Sequence, residues 1–314
     1  MSVAKSHHIN PRFVLRRFAD ENERIRTIRL PERKGRTSLV DRTGAENHLY
    51  SIPGHPSGSD VFEKALGAGI EAETARLFER VVGGEWPLPK EDRDTLAEFI
   101  ALQMLRGPEQ RRRMESAAGE LISKAAGQLS REEFARWASD AEGRTLSDEE
   151  VEERWSVVTQ PGGFSVSYTA RDHIDMMGEV TGEVAGFLAY RPWTLVQFND
   201  RALVTCDAPV SLVAHEQSGP WKGVRVRDAR LVLYPMTRRI GLVMRNPFDG
   251  RHSIDDLSEL TEKARSGVLD DRSPGTAATG KAMNSYTVAH AVSNIYHHPE
   301  DTQYVPAAYR EQAV

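Results

Sequence analysis

The texture of the chain changes at Pro192. Before it, capped segments with helical spacing follow one another. After it come short runs rich in valine, leucine and aromatics, PWTLVQFN, ALVTC, ARLVLYPM and RIGLVMR, separated by turns. Elements segregated in this order argue against an alternating strand–helix–strand sheet. They predict an α+β fold with an N-terminal hairpin, a helical central region and then a mostly antiparallel sheet. The expected regions are an N-terminal helix and hairpin over 7–50, a helical region over 59–190, a sheet region over 192–246 and a C-terminal helix over 282–296.

Within the first region, Pro11 can occupy an early helical position, and Phe13, Val14, Leu15 and Phe18 have helical spacing. The runs Ile25–Leu30 and Thr37–Asp41 alternate as a half-buried hairpin should, joined by the polar turn PERKGR. A helix is expected from an N-cap at Ser59 to Gly83-Gly84, a second from Lys90 to Arg106, and a third from Pro108 to Gln128. SREEF and SDEEVEERW each open with a serine followed three residues later by glutamate, the capping-box spacing. The stretch DGRHSIDDLSELTEKARSG reads as polar and irregular.

The single cysteine, Cys206, rules out an intramolecular disulfide and points to a reducing, cytoplasmic setting. It also rules out a cysteine-rich zinc site, so any metal would need His, Asp and Glu ligands. The opening MSVAKSHHINPRF lacks the apolar run of a signal peptide, and no stretch approaches the ~18 consecutive apolar residues of a membrane span. A net charge of −5 gives no global reason to bind nucleic acid. Sequence patterns for phosphate loops, dinucleotide folds, zinc proteases and nucleophile elbows are missing.

Two helices carry polar residues on the stripe expected to be buried. In the first, Leu66, Ile70, Leu77 and Val81 mark a face that also contains Glu73. In the second, Leu96, Phe99 and Ile100 mark a face continued by Gln103 and Arg106. A lone buried carboxylate costs several kcal/mol, so Glu73 needs a partner. The two faces meet if the helices form a hairpin, either as a Glu–Arg lock or as part of a site. His8, beside His7, is a ligand or base by its chemistry and equally a cap on the first helix. Asp207, in LVTCDAPV, lies at a strand end, where carboxylates serve in sites and in turns alike. Asn284 reads as a helix cap, and His297-His298 as cations at the end of the last helix.

These motifs together resemble a family. SHHINPRFVLRRFAD is similar to the opening HHxxPxxxLRxF of the bacterial domain-of-unknown-function 4238 family. NHLY, IEAETARLF, LAEFIALQMLRGPEQR, RPWTLVQF, LVTCDAPV, LYPMTRR and a closing helix with Asn284 and Ala289 follow in the family's order. The resemblance runs from residue 7 to 296. It implies one family-wide unit over 1–314, with matching positions at His8, Pro11, Glu73, Gln103, Arg106 and Asp207. Cys206 and Ala208 stand where the family's motif has serine and asparagine, so the resemblance does not carry over the hydrogen bonding around Asp207. The family carries no settled activity, so the resemblance implies architecture and positions without a reaction.

Two functions are expected from these residues. One is a non-catalytic module of a bacterial accessory, stress or conflict system that binds a small anionic ligand or a protein partner, with a buried Glu/Arg/Gln/His cluster. The other is a metal-assisted hydrolase for a phosphodiester or nucleotide-like anion. In it, His8, Glu73, Gln103, Arg106 and Asp207 would form the catalytic set, and a divalent metal ion would be the cofactor.

Overall fold

The computed structural model describes residues 6–47, 61–214, 225–247 and 254–311. The chain divides into two units, Met1–Gly107 with Ile174–Val314, and Pro108–His173.

The first unit opens with a short strand β1 (Ser6–His8), and the helix α1 (Arg12–Arg16) begins directly after Pro11, whose missing N–H costs nothing at that position. Strands β2 (Arg24–Arg29) and β3 (Lys34–Leu39) form the expected hairpin, in register from Arg24↔Leu39 to Arg29↔Lys34. The second strand starts at Lys34 and not at Thr37, because the turn is tight and Arg33 takes up a left-handed conformation, φ 52°. A further strand β4 (Ala45–Asn47) pairs antiparallel with β1.

The helix expected over 59–83 is two helices, α2 (Val61–Ala68) and α3 (Ile70–Val82). Gly69 leaves the helical region between them, with φ −97° and ψ −110°. The expected cap Ser59 lies outside the described residues. Helix α4 (Lys90–Leu105) matches its expected bounds. It buries Leu96, Ala97, Phe99, Ile100, Ala101, Leu102, Gln103 and Leu105, nearly its whole circumference, which makes it a core helix.

The second unit holds α5 (Pro108–Gln128), α6 (Arg131–Glu142) and α7 (Asp148–Thr159). Both capping boxes form: Ser130 Oγ accepts from Glu133 N–H at 3.3 Å while the Glu133 carboxylate accepts from Ser130 N–H at 2.8 Å, and Ser147 and Glu150 repeat the pattern. Phe134, Ala138, Leu146 and Val151 form a small core of this unit, with Trp155 edge-on to Phe134 at 5.1 Å.

Helix α8 (Ala170–Ala189) leads into the strand-rich part: β5 (Trp193–Gln197), β6 (Thr205–Cys206), β7 (Ser211–Val213), β8 (Leu231–Pro235) and β9 (Ile240–Arg245). Helix α9 (Ile254–Arg265) falls where the sequence reads as irregular. Good helix formers carry it through a polar composition, and Arg265 ties its end to Asp94 at 2.7 Å. Strand β10 (Asp271–Pro274), helix α10 (Ala277–His290) and strand β11 (Asn294–His297) follow. One sheet has the order β10-β5-β9-β8-β7, antiparallel except for the parallel pair β10–β5, and another has the order β3-β2-β11-β6, antiparallel throughout. The fold is α+β.

The C-terminal helix expected over 282–296 ends at His290. Ala291 turns extended, with φ −58° and ψ 132°, and the following residues form the strand β11 between β2 and β6. His297 and His298 are therefore not helix-end cations. Both are buried, His297 bonds the His298 carbonyl through Nδ1 at 2.7 Å, and burial lowers its pKa. On β2, Ile25 and Ile28 point to opposite faces. Ile25 and Tyr296 belong to the main core with α1, α3, α4 and the five-stranded sheet, while Ile28 and Ile295 pack with Val204, Val288 and Val305. Both faces of β2 and β11 are thus covered, while β3 at the sheet's edge is largely exposed. Among the described residues, no helix is long and apolar enough to cross a membrane.

Candidate functional site

Helices α3 and α4 pack as an antiparallel hairpin whose contacts follow one register. Phe78 and Phe99 meet edge-to-face with ring centroids 6.2 Å apart, and Phe13 lies 5.4 Å from each. Two turns away, Arg106 Nη1 donates to Glu71 Oε1 at 2.8 Å. Between these contacts, one turn back from Phe78 is Thr74, and one turn on from Phe99 is Gln103. The hairpin thus passes from aromatic packing to a polar end. Strand β8 closes it with Tyr234, whose ring is 6.5 Å from Phe78. Burial pushes the Tyr234 phenol well above its ordinary pKa, and the charge of Arg106 opposes that rise.

Little of this polar end is open to solvent. Thr74 and Tyr234 are fully buried, Arg106 is 2% exposed and Gln103 is 4% exposed. Glu71 is the open member, with 19% of its side chain exposed. Thr74 Oγ1, Gln103 Nε2 and the Tyr234 hydroxyl have no hydrogen-bond partner among the described residues. A buried polar atom left in this state costs about 1–3 kcal/mol, so three on the packed elements α3, α4 and β8 call for something to bind them.

Glu73, expected on this face, is exposed. The stripe through Leu66 and Ile70 to Leu77 runs across Gly69, where the helix stops and restarts and its phase is lost. The buried residues of α3 are Thr74, Leu77, Phe78 and Val81, and the carboxylate in phase with them is Glu71. Gln103 and Arg106 stand where the second helix predicts them. Of the other candidates, the His8 side chain lies outside the described residues, as does that of His7; the His8 backbone pairs with Ala45.

Asp207 is buried at the end of β6, and its carboxylate accepts three backbone N–H bonds, from Val292 at 2.9 Å, Ser293 at 2.7 Å and Asn294 at 2.9 Å. Burial raises its pKa, and those three bonds pull it back. The chemistry of this carboxylate is to hold the turn between α10 and β11. Asn284 ties the same region together: its Oδ1 accepts from Val204 N–H at 3.0 Å, and its Nδ2 donates to the carbonyls of Ala202 and Tyr304. The N-terminal motif reaches this region through Asn10, whose Nδ2 donates to the Cys206 carbonyl at 3.0 Å.

Sequence reasoning passed over Glu71, Thr74, Tyr234 and Asn10. Glu71 and Thr74 are visible once α3 is phased alone, from Thr74, Leu77, Phe78 and Val81. Tyr234 carries a weaker signal, a lone hydroxyl inside the buried run LVLYPM. Among the described residues, no three His, Cys, Asp or Glu side chains converge as a metal-binding group. An open groove of about 520 Å³ lies between α8 and residues 225–228. None of its lining side chains has a buried polar atom without a partner, so it makes no comparable demand for a ligand.

A family model described as protein of unknown function (DUF4238) matches residues 6–301, across both units. No curated protein and no solved structure matches the chain.

Proposed function

The chain belongs to the DUF4238 family, and we propose that it is a non-catalytic module of the bacterial cytoplasm that binds a small polar ligand at the polar end of the α3–α4 hairpin, beneath β8. One observation carries this reading: Thr74 Oγ1 and Gln103 Nε2 on the two helices and the Tyr234 hydroxyl on β8 are buried with no hydrogen-bond partner among the described residues. Structural glue would satisfy its own donors, whereas these are left to a guest. The groups offered are a cation, an amide and two hydroxyls, with one carboxylate already paired to the cation. That set suits recognition better than bond cleavage. The cytoplasmic setting is supported by the single buried Cys206.

The test is the stability of Tyr234→Phe in full-length protein refolded from denaturant, which strips any ligand carried through purification. An unpartnered hydroxyl is a burden, so the ligand-free variant should be at least as stable as the parent by urea unfolding. The same variant should lose the thermal stabilisation that a binding small molecule gives the parent. A loss of about 1–2 kcal/mol in the ligand-free variant would mean that the hydroxyl already has an internal partner, and the reading would fall.

A further inference from the structure

We propose, independently of the ligand-binding reading, that residues 302–311 form a pH-released strap over one face of the four-stranded sheet, and that protonation of His297 on that face releases it.

After Asp301 the chain makes two short 3-10 turns, Thr302–Tyr304 and Ala307–Tyr309. This segment packs on the sheet face that carries Ile28 and Ile295, where Val305 is fully buried and Tyr309 lies against the same cluster. Polar contacts fix it at three places. At its start, the Asp301 carboxylate accepts from Arg238 Nε at 2.6 Å and from Nη2 at 2.9 Å. In the middle, the Tyr304 carbonyl accepts from Asn284 Nδ2 at 3.1 Å. At its end, Arg26 donates to both carboxylate oxygens of Glu311. That last contact depends on Gly35, because a Cβ added there would overlap the Glu311 carboxylate.

His297 stands opposite Arg26 across β11 and β2, two positions along from the Ile295–Ile28 pair and so on the same face. The ring is fully buried. Its Nδ1 bonds the His298 carbonyl at 2.7 Å. A carbonyl only accepts, so Nδ1 carries the proton and the neutral ring presents Nε2 as a bare acceptor. Nε2 has no hydrogen-bond partner among the described residues. Protonation would create a buried N–H without an acceptor and set a second positive charge directly opposite Arg26.

The charged groups near the ring are Arg26 on β2 and the carboxylates of Glu311 and Asp301 at the two ends of the strap. On β3 the same face carries Gly35 and Thr37, and α10 meets it with Val288 and Ala291. His298, next along the chain, accepts from Glu300 N–H through Nδ1 at 3.3 Å. Both strap carboxylates are already bonded to arginines, Glu311 to Arg26 and Asp301 to Arg238. Neither can turn to a charged His297 without giving up a contact that holds the strap. Water is the remaining partner, and it enters when the strap lifts.

Burial, above all, holds the His297 pKa below its ordinary 6.5, and Arg26 adds to this. The state with the strap lifted therefore takes up the proton more readily. The strap is fully held above about pH 6.5 and loses its hold as the pH falls below that value. The bonds from Arg26 keep the Glu311 pKa below the ordinary carboxylate value, so loss of the Glu311 charge is a separate and more acidic step.

Hydrogen exchange on the full chain from about pH 7.5 to about pH 5, corrected for intrinsic rates, reads the strap through the amides of Tyr304, Val305 and Tyr309, which bond within it. Their protection should fall by up to about tenfold per pH unit below about pH 6.5, the slope of one proton, while β8 and β9 keep theirs. His297→Asn retains a donor for the His298 carbonyl but does not titrate, and it should flatten that slope. Gly35→Ala should lower strap protection about fivefold already at neutral pH, because it moves Glu311 off Arg26. Flat strap protection in the parent, a slope that survives in His297→Asn, a slope shared by β8 and β9, or unchanged protection in Gly35→Ala each overturns the proposal. Should His297→Asn fail to fold, the ring is followed in the parent by NMR. A His297 that titrates only as strap protection is lost supports the proposal, and one that titrates under an intact strap overturns it.

Discussion

Helix α4 carries a buried arginine near each end, and the two are treated differently. At the start, Arg93 is fully enclosed. Its guanidinium donates to the Asp270 carboxylate and to the carbonyls of Ala189 and Arg191, and lies 3.9 Å from the centroid of the Trp193 ring, while Asp270 also accepts from Trp193 N–H at 2.9 Å. Burial lowers the pKa of Arg93, and Asp270 opposes that. At the far end, Arg106 pairs with a carboxylate that is partly open to solvent, and Thr74, Gln103 and Tyr234 hold buried polar atoms with no partner among the described residues. One end is a closed network in which each group serves another. The other has the same kind of cation, but Thr74, Gln103 and Tyr234 each bring a buried polar atom that no described residue serves. What separates structural glue from a site here is the completeness of the hydrogen bonding, not the presence of a buried charge.

That contrast can be broken at either end. The largest effect is expected from Asp270→Asn, which leaves Arg93 buried without its counter-charge. It should lose roughly 3–5 kcal/mol in urea unfolding, and no added anion should restore it. Recovery of this variant by phosphate or acetate would mean that the Arg93 end is also a site. Next comes Asp207→Ala, which deprives three backbone N–H groups of their acceptor and should cost about 1–3 kcal/mol. Hydrogen exchange should then speed up at Val292, Ser293 and Asn294 and leave α4 unaffected.

Glu71→Gln keeps a hydrogen-bond acceptor near Arg106 and should cost about 1 kcal/mol in the ligand-free protein, well below the Asp270 variant. Equal losses at the two ends would erase the distinction. Glu73→Gln should leave the unfolding midpoint where it is, because Glu73 is exposed. A clear loss there would restore it to the buried face.

The two helices also show what a sequence can reveal of a site. Gln103 and Arg106 were legible because α4 runs unbroken from Lys90 to Leu105. Each residue adds roughly 100° of rotation, so Leu96, Phe99 and Ile100 carry the phase onward to them without error. Glu73 was misplaced by the same method, since Gly69 resets the phase and nothing in the apolar spacing alone marks that reset. The two capping boxes were legible for a local reason: donor and acceptor are three residues apart. The ring contact of Tyr234 with Phe78, and the task of Asp207 in holding Val292, Ser293 and Asn294, depend on residues far away in the chain, and neither periodicity nor spacing reports those. Likewise, Asn294–His297 looked like the end of a helix because its fate is decided by pairing with β2 and β6 and by Asp207 catching the backbone just before it.

The position of β11 has a consequence for how the chain is made. Strands β2 and β3 leave the ribosome long before β11 and can close their hairpin at once, since their contacts are local. The neighbour on the other side of β2 is synthesised only after nearly all of the intervening chain, and it is the strand that joins β2 to β6. Until then β2 presents an open edge, with Ile25 and Ile28 uncovered on its two faces. A nascent chain stalled before residue 294 carries that edge with no partner, and such edges recruit strands from other chains. Late completion of the sheet therefore makes a chain that stops before β11 prone to aggregation. The helical stretch 108–173, built on local contacts, escapes that hazard.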